Sequence, residues 1–141
     1  AGITVNARVK GAGPPLLFVG GSSFDLSMRA PVFDSKLVDH FTVAAADPRG
    51  LGLTDAPDGD WAMQDYARHA LDLIDALCWG QCDVLGESFG AMTALHLAAL
   101  APERINRLAL CAGSSGGKAV GRIPFMNLRR CQMRLRGHGP R

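Results

Sequence analysis

The pentapeptide Gly86-Glu87-Ser88-Phe89-Gly90 constrains this chain more than any other stretch. Before it, Cys82-Asp83-Val84-Leu85 reads as a short buried strand. After it, Ala91 to Leu100 reads as a helix of small and apolar residues. A serine between such a strand and such a helix lies on a tight turn, with its hydroxyl exposed at the sheet edge. Glycines flank it because side chains there would clash where the backbones cross. The N–H of Phe89, at the helix start, can point at an oxyanion. With 17 glycines in 141 residues the bare G-x-S-x-G pattern is weak, so its surroundings decide.

Those surroundings alternate strands with helices. Ile3 to Val9 alternates apolar and polar residues, as a half-exposed strand does. Lys10 to Pro15 is a turn, and Leu16-Leu17-Phe18-Val19 is an apolar run suited to a strand covered on both faces. A helix is expected from about Ser27 to Asp39, interrupted near Pro31. Phe41 to Ala45 is the next buried strand. From about Ala62 to Cys78 the period is helical: Tyr66, Ala70, Leu73, Ile74 and Leu77 share one face, with Asp65, Arg68, His69, Asp72 and Asp75 largely on the other. Gly80 is expected to stop that helix, Pro102 ends the one after the serine, and Ile105 to Cys111 is a last apolar strand. Connections this short imply an α/β architecture, a parallel sheet with helices on both faces.

In this order the features resemble the α/β-hydrolase fold family. Gly86-Glu87-Ser88-Phe89-Gly90 looks like its nucleophile elbow, and Asp47-Pro48-Arg49-Gly50-Leu51-Gly52-Leu53-Thr54-Asp55 looks like its D-x-R-G-x-G-x-S segment, with Thr54 in the Ser place. Leu16 to Ser22 looks like its third strand and oxyanion loop, with Gly20-Gly21 in place of the common His-Gly. The resemblance runs from about Ile3 to Ala112. It implies Ser88 as nucleophile and the backbone N–H groups of Phe89 and Ser22 as oxyanion donors. It implies no cofactor and no metal, a small-molecule substrate of ester-like or related acyl type, and a cytoplasmic serine hydrolase.

The family places an acid and then a histidine after the serine. Here the only later acid is Glu103, at the far end of the sheet, and the later histidines are His96 and His138. His96 lies eight residues along the helix, roughly 12 Å from the serine at about 1.5 Å per residue, and reads as a partly buried helix residue. His138 sits in a glycine-flanked end. His40 and His69 precede the serine and read as surface residues. Asp47 and Arg49 read as structural ties of their loop. The chain is thus expected to be a truncated α/β-hydrolase fold lacking the cap and last strands, inactive as it stands. The alternative is a non-catalytic α/β-hydrolase-like binding protein or fragment.

Composition limits the other readings. Apolar residues at 48% and charged residues at 20% fit a globular domain with a real core. No apolar run approaches the ~20 residues of a membrane span. Cys78, Cys82, Cys111 and Cys131 form no C-x-x-C pair and read as reduced core thiols. Residues 1–112 carry eight basic and thirteen acidic side chains, net −5, whereas residues 113–141 carry seven basic and no acidic ones, net +7. The domain boundary is therefore expected at 118, with a hydrolase-like core over 1–118 and a basic tail over 119–141. That tail, with Arg129-Arg130, Arg134, Arg136 and Arg141, reads as a solvated end. The acidic core opposes nucleic-acid binding. Neither nucleic acid nor membrane is an expected partner, and the oligomeric state is left open. Gly113 to Lys118 does not complete a phosphate loop, since Ala112 and Ala119 stand where Gly and Ser or Thr are required.

The tail also reads as translation in a shifted frame from near Ala119. Taking the third base of each codon with the first two of the next, Phe125-Met126-Asn127 must give Tyr or His followed by Glu. Arg122 to Leu128 then permits Tyr-Pro-Leu-His-Glu-Leu, which looks like the start of a hydrolase cap and restores an acid.

Overall fold

The computed structural model describes residues 2–22, 24–27 and 31–114. The tail boundary at 118, the shifted-frame segment and His138 lie outside the described residues. Among these described residues five strands and two α-helices form the body: β1 (Ala7–Lys10), β2 (Pro15–Val19), β3 (Thr42–Ala46), α1 (Met63–Ala76), β4 (Cys82–Glu87), α2 (Phe89–Leu100) and β5 (Ile105–Cys111). The sheet order is β1-β3-β2-β4-β5.

Strands β2 to β5 are parallel, as the alternating pattern predicts, and β1 runs antiparallel to β3. The turn between β1 and β2 explains this exception. It spans only residues 11–14, enough to reverse the chain but not to carry it back to the end where β1 starts. So β2 runs opposite to β1, and β3, lying between them parallel to β2, is antiparallel to β1. Its Gly11 and Gly13 have φ +95° and +134°, and side chains there would strike the carbonyl oxygens of Phe41 and His40.

Strand alternation builds two cores. Leu17 of β2 joins Val84 and Cys82 of β4 beneath Ala67, Ala70, Leu73 and Ile74 of α1 and Ala94 and Leu97 of α2. Leu16 and Phe18 point the other way, to Val43 and Ala45 of β3 and to Val32 and Phe33. That second face is covered by two 3-10 segments, Pro31–Asp34 and Lys36–Asp39, where one interrupted α-helix was expected. Ser35 separates them. Its hydroxyl donates to the Val32 carbonyl at 2.7 Å and accepts from the Leu37 N–H at 3.2 Å, a local pairing that competes with helix continuation.

Helix α1 begins where the Asp65 carboxylate accepts the Ala62 N–H at 2.8 Å. It ends four residues before Gly80, because Cys78 takes the left-handed conformation at φ 56° and breaks the helical run first. Cys82 is buried, but Cys78 and Cys111 are exposed, so the expectation of core thiols fails for these two. Burial beside Asp83 pushes the Cys82 thiol up to about 11, which keeps it protonated and unreactive at neutral pH. Strand β5 lies at the sheet edge with Leu108 and Leu110 36% and 41% exposed.

His69 corrects the sequence reading most sharply. Expected on a polar surface, it is only 7% exposed, because the loop after β3 and the N-terminal segment cover that side of α1. Burial, and secondarily the Arg49 charge, lowers its pKa below the ordinary 6.5, against the opposing pull of Asp72. The folded state therefore binds fewer protons at His69 than the unfolded chain just below pH 6.5. Stability at this residue is intact above that pH and is lost as the pH falls through the depressed folded value. Urea midpoints taken from about pH 8 down to about pH 5 will decline below 6.5, and His69→Asn will flatten the decline. An equal decline in that variant would assign it to other groups.

Candidate active site

The turn at Ser88 joins the C-terminal end of β4 to the first residue of α2. Its backbone has φ 54° and ψ −116°, a conformation that L residues other than glycine rarely adopt and that costs on the order of 1–3 kcal/mol. This is the strain that an exposed serine elbow requires. Backbone hydrogen bonds hold the turn. The Ser88 N–H donates to the Cys111 carbonyl at 2.9 Å, tying the turn to the end of β5, and the Ser88 carbonyl accepts the Ala91 N–H at 3.0 Å.

The glycines play the part expected of them. A Cβ on Gly86 would lie 2.7 Å from both the Ala91 Cα and the Gly90 carbonyl oxygen. One on Gly90 would strike the carbonyl oxygens of Val19 and Gly20, at the end of β2. The loop after β2 consequently runs against the serine: the Cβ position of Gly21 is 3.5 Å from Ser88 Cβ and 3.9 Å from its Oγ. Ser22 follows in a turn closed by the Phe24 N–H on the Gly21 carbonyl at 3.0 Å. Phe89, as first residue of α2, has no acceptor within the helix for its N–H. Its ring packs edge-on against Tyr66 at 5.0 Å, and Tyr66 packs likewise against Trp61 at 6.2 Å. Ser88 is exposed; Phe89 follows it in the chain, and Gly21, the residue before Ser22, lies against it in space.

The loop after β3 is tied down as its sequence suggests. Asp47, 1% exposed, accepts from the Leu26 N–H at 2.5 Å, the Asn6 side-chain amide at 2.7 Å and the Leu53 N–H at 2.9 Å. With both oxygens committed to donors, this carboxylate holds three segments together. Thr54 Oγ1 accepts the Asn6 N–H at 3.0 Å, and the Asp55 carboxylate accepts the Thr4 N–H at 2.6 Å.

The structure brings no histidine–carboxylate pair to Ser88 among the described residues. His96 is half-buried on α2, with Nδ1 2.9 Å from the Met92 carbonyl. His40 is exposed in the turn before β3. Glu103 is exposed at the N-terminal end of β5, whereas Ser88 stands at the C-terminal end of the sheet. Among the described residues no group of three or more His, Cys, Asp or Glu could hold a metal ion. No helix there is long and apolar enough to cross a membrane.

Sequence reasoning missed a cavity of about 50 Å³ behind Phe89, walled by Leu17, Leu73, Thr93, Arg49 and His69. Ser88 is not on its wall, so the chemistry expected at the serine and this cavity are neighbours rather than one site. The only sequence signal for it was a histidine one position from the apolar stripe of α1.

Comparison with known proteins agrees with this geometry. Residues 14–134 match the family described as alpha/beta hydrolase fold. The chain is 37% identical over 103 residues to the 2-(acetamidomethylene)succinate hydrolase of Mesorhizobium japonicum, covering 73% of this chain and 37% of that protein. It is 37% identical over 119 residues to the 2-hydroxymuconate semialdehyde hydrolase of a Pseudomonas species, covering 82% and 42%. The crystal structure of the enol-lactonase from Burkholderia xenovorans LB400 superposes with a TM-score of 0.78 at 30% identity, over 96% of this chain and 52% of that one. The chain spans about two fifths of the length of the curated relatives it matches. Strand order, elbow and matched sequence together place the chain in the alpha/beta hydrolase fold family.

Proposed function

We propose that Ser88 is the nucleophile of a serine hydrolase acting on an ester-like or related acyl substrate. The reading rests on one observation: a non-glycine residue held at φ 54° on an exposed turn between two glycines whose hydrogens face backbone. In the step this geometry suits, Oγ bonds to the acyl carbon, its proton passes to a base, and the carbonyl electrons move onto oxygen. The N–H groups of Phe89 and Ser22 receive that oxyanion, and such donors are each worth roughly 3 kcal/mol of barrier. The leaving group departs with a proton, and water then releases the acyl group from Oγ. The relatives' names, a succinate derivative hydrolase and a semialdehyde hydrolase, favour small organic substrates.

Among the described residues the part without a candidate is the base. A serine hydroxyl stays a weak nucleophile until a histidine takes its proton, and none of the described histidines meets Ser88. This favours a second reading, in which the chain keeps the loop geometry and only binds. Under the first reading the 141-residue chain will turn over p-nitrophenyl acetate within about tenfold of its Ser88→Ala variant. Robust hydrolysis abolished by that substitution would refute the absence of a base while supporting Ser88. Robust hydrolysis unaffected by it would refute Ser88.

A further inference from the structure

The cavity behind Phe89 has a mostly apolar wall, interrupted by the polar side chains of His69 and Arg49. His69 is 7% exposed, and neither of its ring nitrogens has a hydrogen-bond partner. The buried Nε of Arg49 has none either. Buried polar atoms are seldom left unpaired, so three orphaned atoms on two residues that line one chamber point to an occupant. Its volume of about 50 Å³ admits roughly three to five water-sized positions, the size of four or five heavy atoms.

Charge selects among occupants. Arg49 brings a positive charge to the wall. The carboxylate there, Asp47, has both oxygens taken by Leu26, Asn6 and Leu53. Asp72 faces His69 from the same helix and weakly opposes an anion. A guanidinium edge with an imidazole N–H beside it suits a planar anion with two oxygens. Leu17, Leu73 and the Phe89 ring, completing the wall, suit a short hydrocarbon end rather than a bare ion.

We propose that this chamber binds a small monocarboxylate of about acetate size, its oxygens on Arg49 and His69 and its carbon end against Leu73 and Phe89. The site stands apart from Ser88 and does not depend on that residue's role.

The test follows the His69 ring signals of the ¹⁵N-histidine-labelled chain by NMR, with acetate or acetamide added at fixed pH and ionic strength. Acetate should shift them saturably and acetamide should not, and Arg49→Gln should weaken the acetate response about tenfold or more. Should Arg49→Gln fail to fold, the unaltered chain supplies the answer through contacts between the acetate methyl protons and Leu73 and Phe89. Those contacts support the site and their absence overturns it. Equal responses to acetate and acetamide, an unchanged affinity in a folded Arg49→Gln, or no saturable shift would each overturn it and leave a cavity for water only.

Discussion

Gly90 lets the start of α2 lie so close to the end of β2 that a methyl group there would strike the carbonyl oxygens of Val19 and Gly20. The rest of the site depends on this approach. It brings the loop after β2 to the serine, with Gly21 in van der Waals range of Ser88. It also fixes the helix start from which the Phe89 N–H emerges. Gly86 closes the other side of the crossing against Ala91, and the chain between the two glycines has little choice but the strained turn. The strain is small beside the core that enforces it. Leu97 of α2, Ile74 of α1 and Val84 of β4, at most 1% exposed, share one core, and a fully buried side chain of this size contributes about 1.5–3 kcal/mol.

A second constraint lies on the opposite flank. Asp47 gathers the N-terminal segment, the loop after β2 and its own loop by three hydrogen bonds from Asn6, Leu26 and Leu53. A buried carboxylate is costly unless so paired. Loss of this carboxylate would release all three segments, so Asp47 is part of the scaffold that positions the loops. Clamp and elbow together position the mouth of the sheet from two sides.

Much of this was legible in the sequence because it is local. Strand–glycine–serine–glycine–helix announces a crossing whose sterics leave few alternatives, and the apolar runs at Leu16 and Ile105 mark strands by composition alone. What failed was non-local. The partner of β1 depends on where β3 inserts, which four turn residues do not specify. His69 looked solvated because its neighbours in sequence, Arg68 and Asp72, are exposed; its burial comes from segments some twenty and more than sixty residues away. Cys78 and Cys111 looked like core thiols by residue type, yet one occupies a left-handed helix end and the other the exposed end of an edge strand. The candidate cavity behind Phe89 had no sequence signature beyond the placement of His69 beside the apolar stripe of α1, since its wall draws on β2, β3, α1 and α2 at once.

The central proposal is that Ser88 is a nucleophile for which the described residues supply no base. Phosphonylation by a fluorophosphonate in the presence of added imidazole measures this directly, read by intact mass and by the modified peptide. The account predicts slow labelling without imidazole, a rate that rises with imidazole concentration, a single adduct on Ser88, and none in Ser88→Ala. An adduct elsewhere, or no labelling at any imidazole concentration that leaves the chain folded, would contradict it.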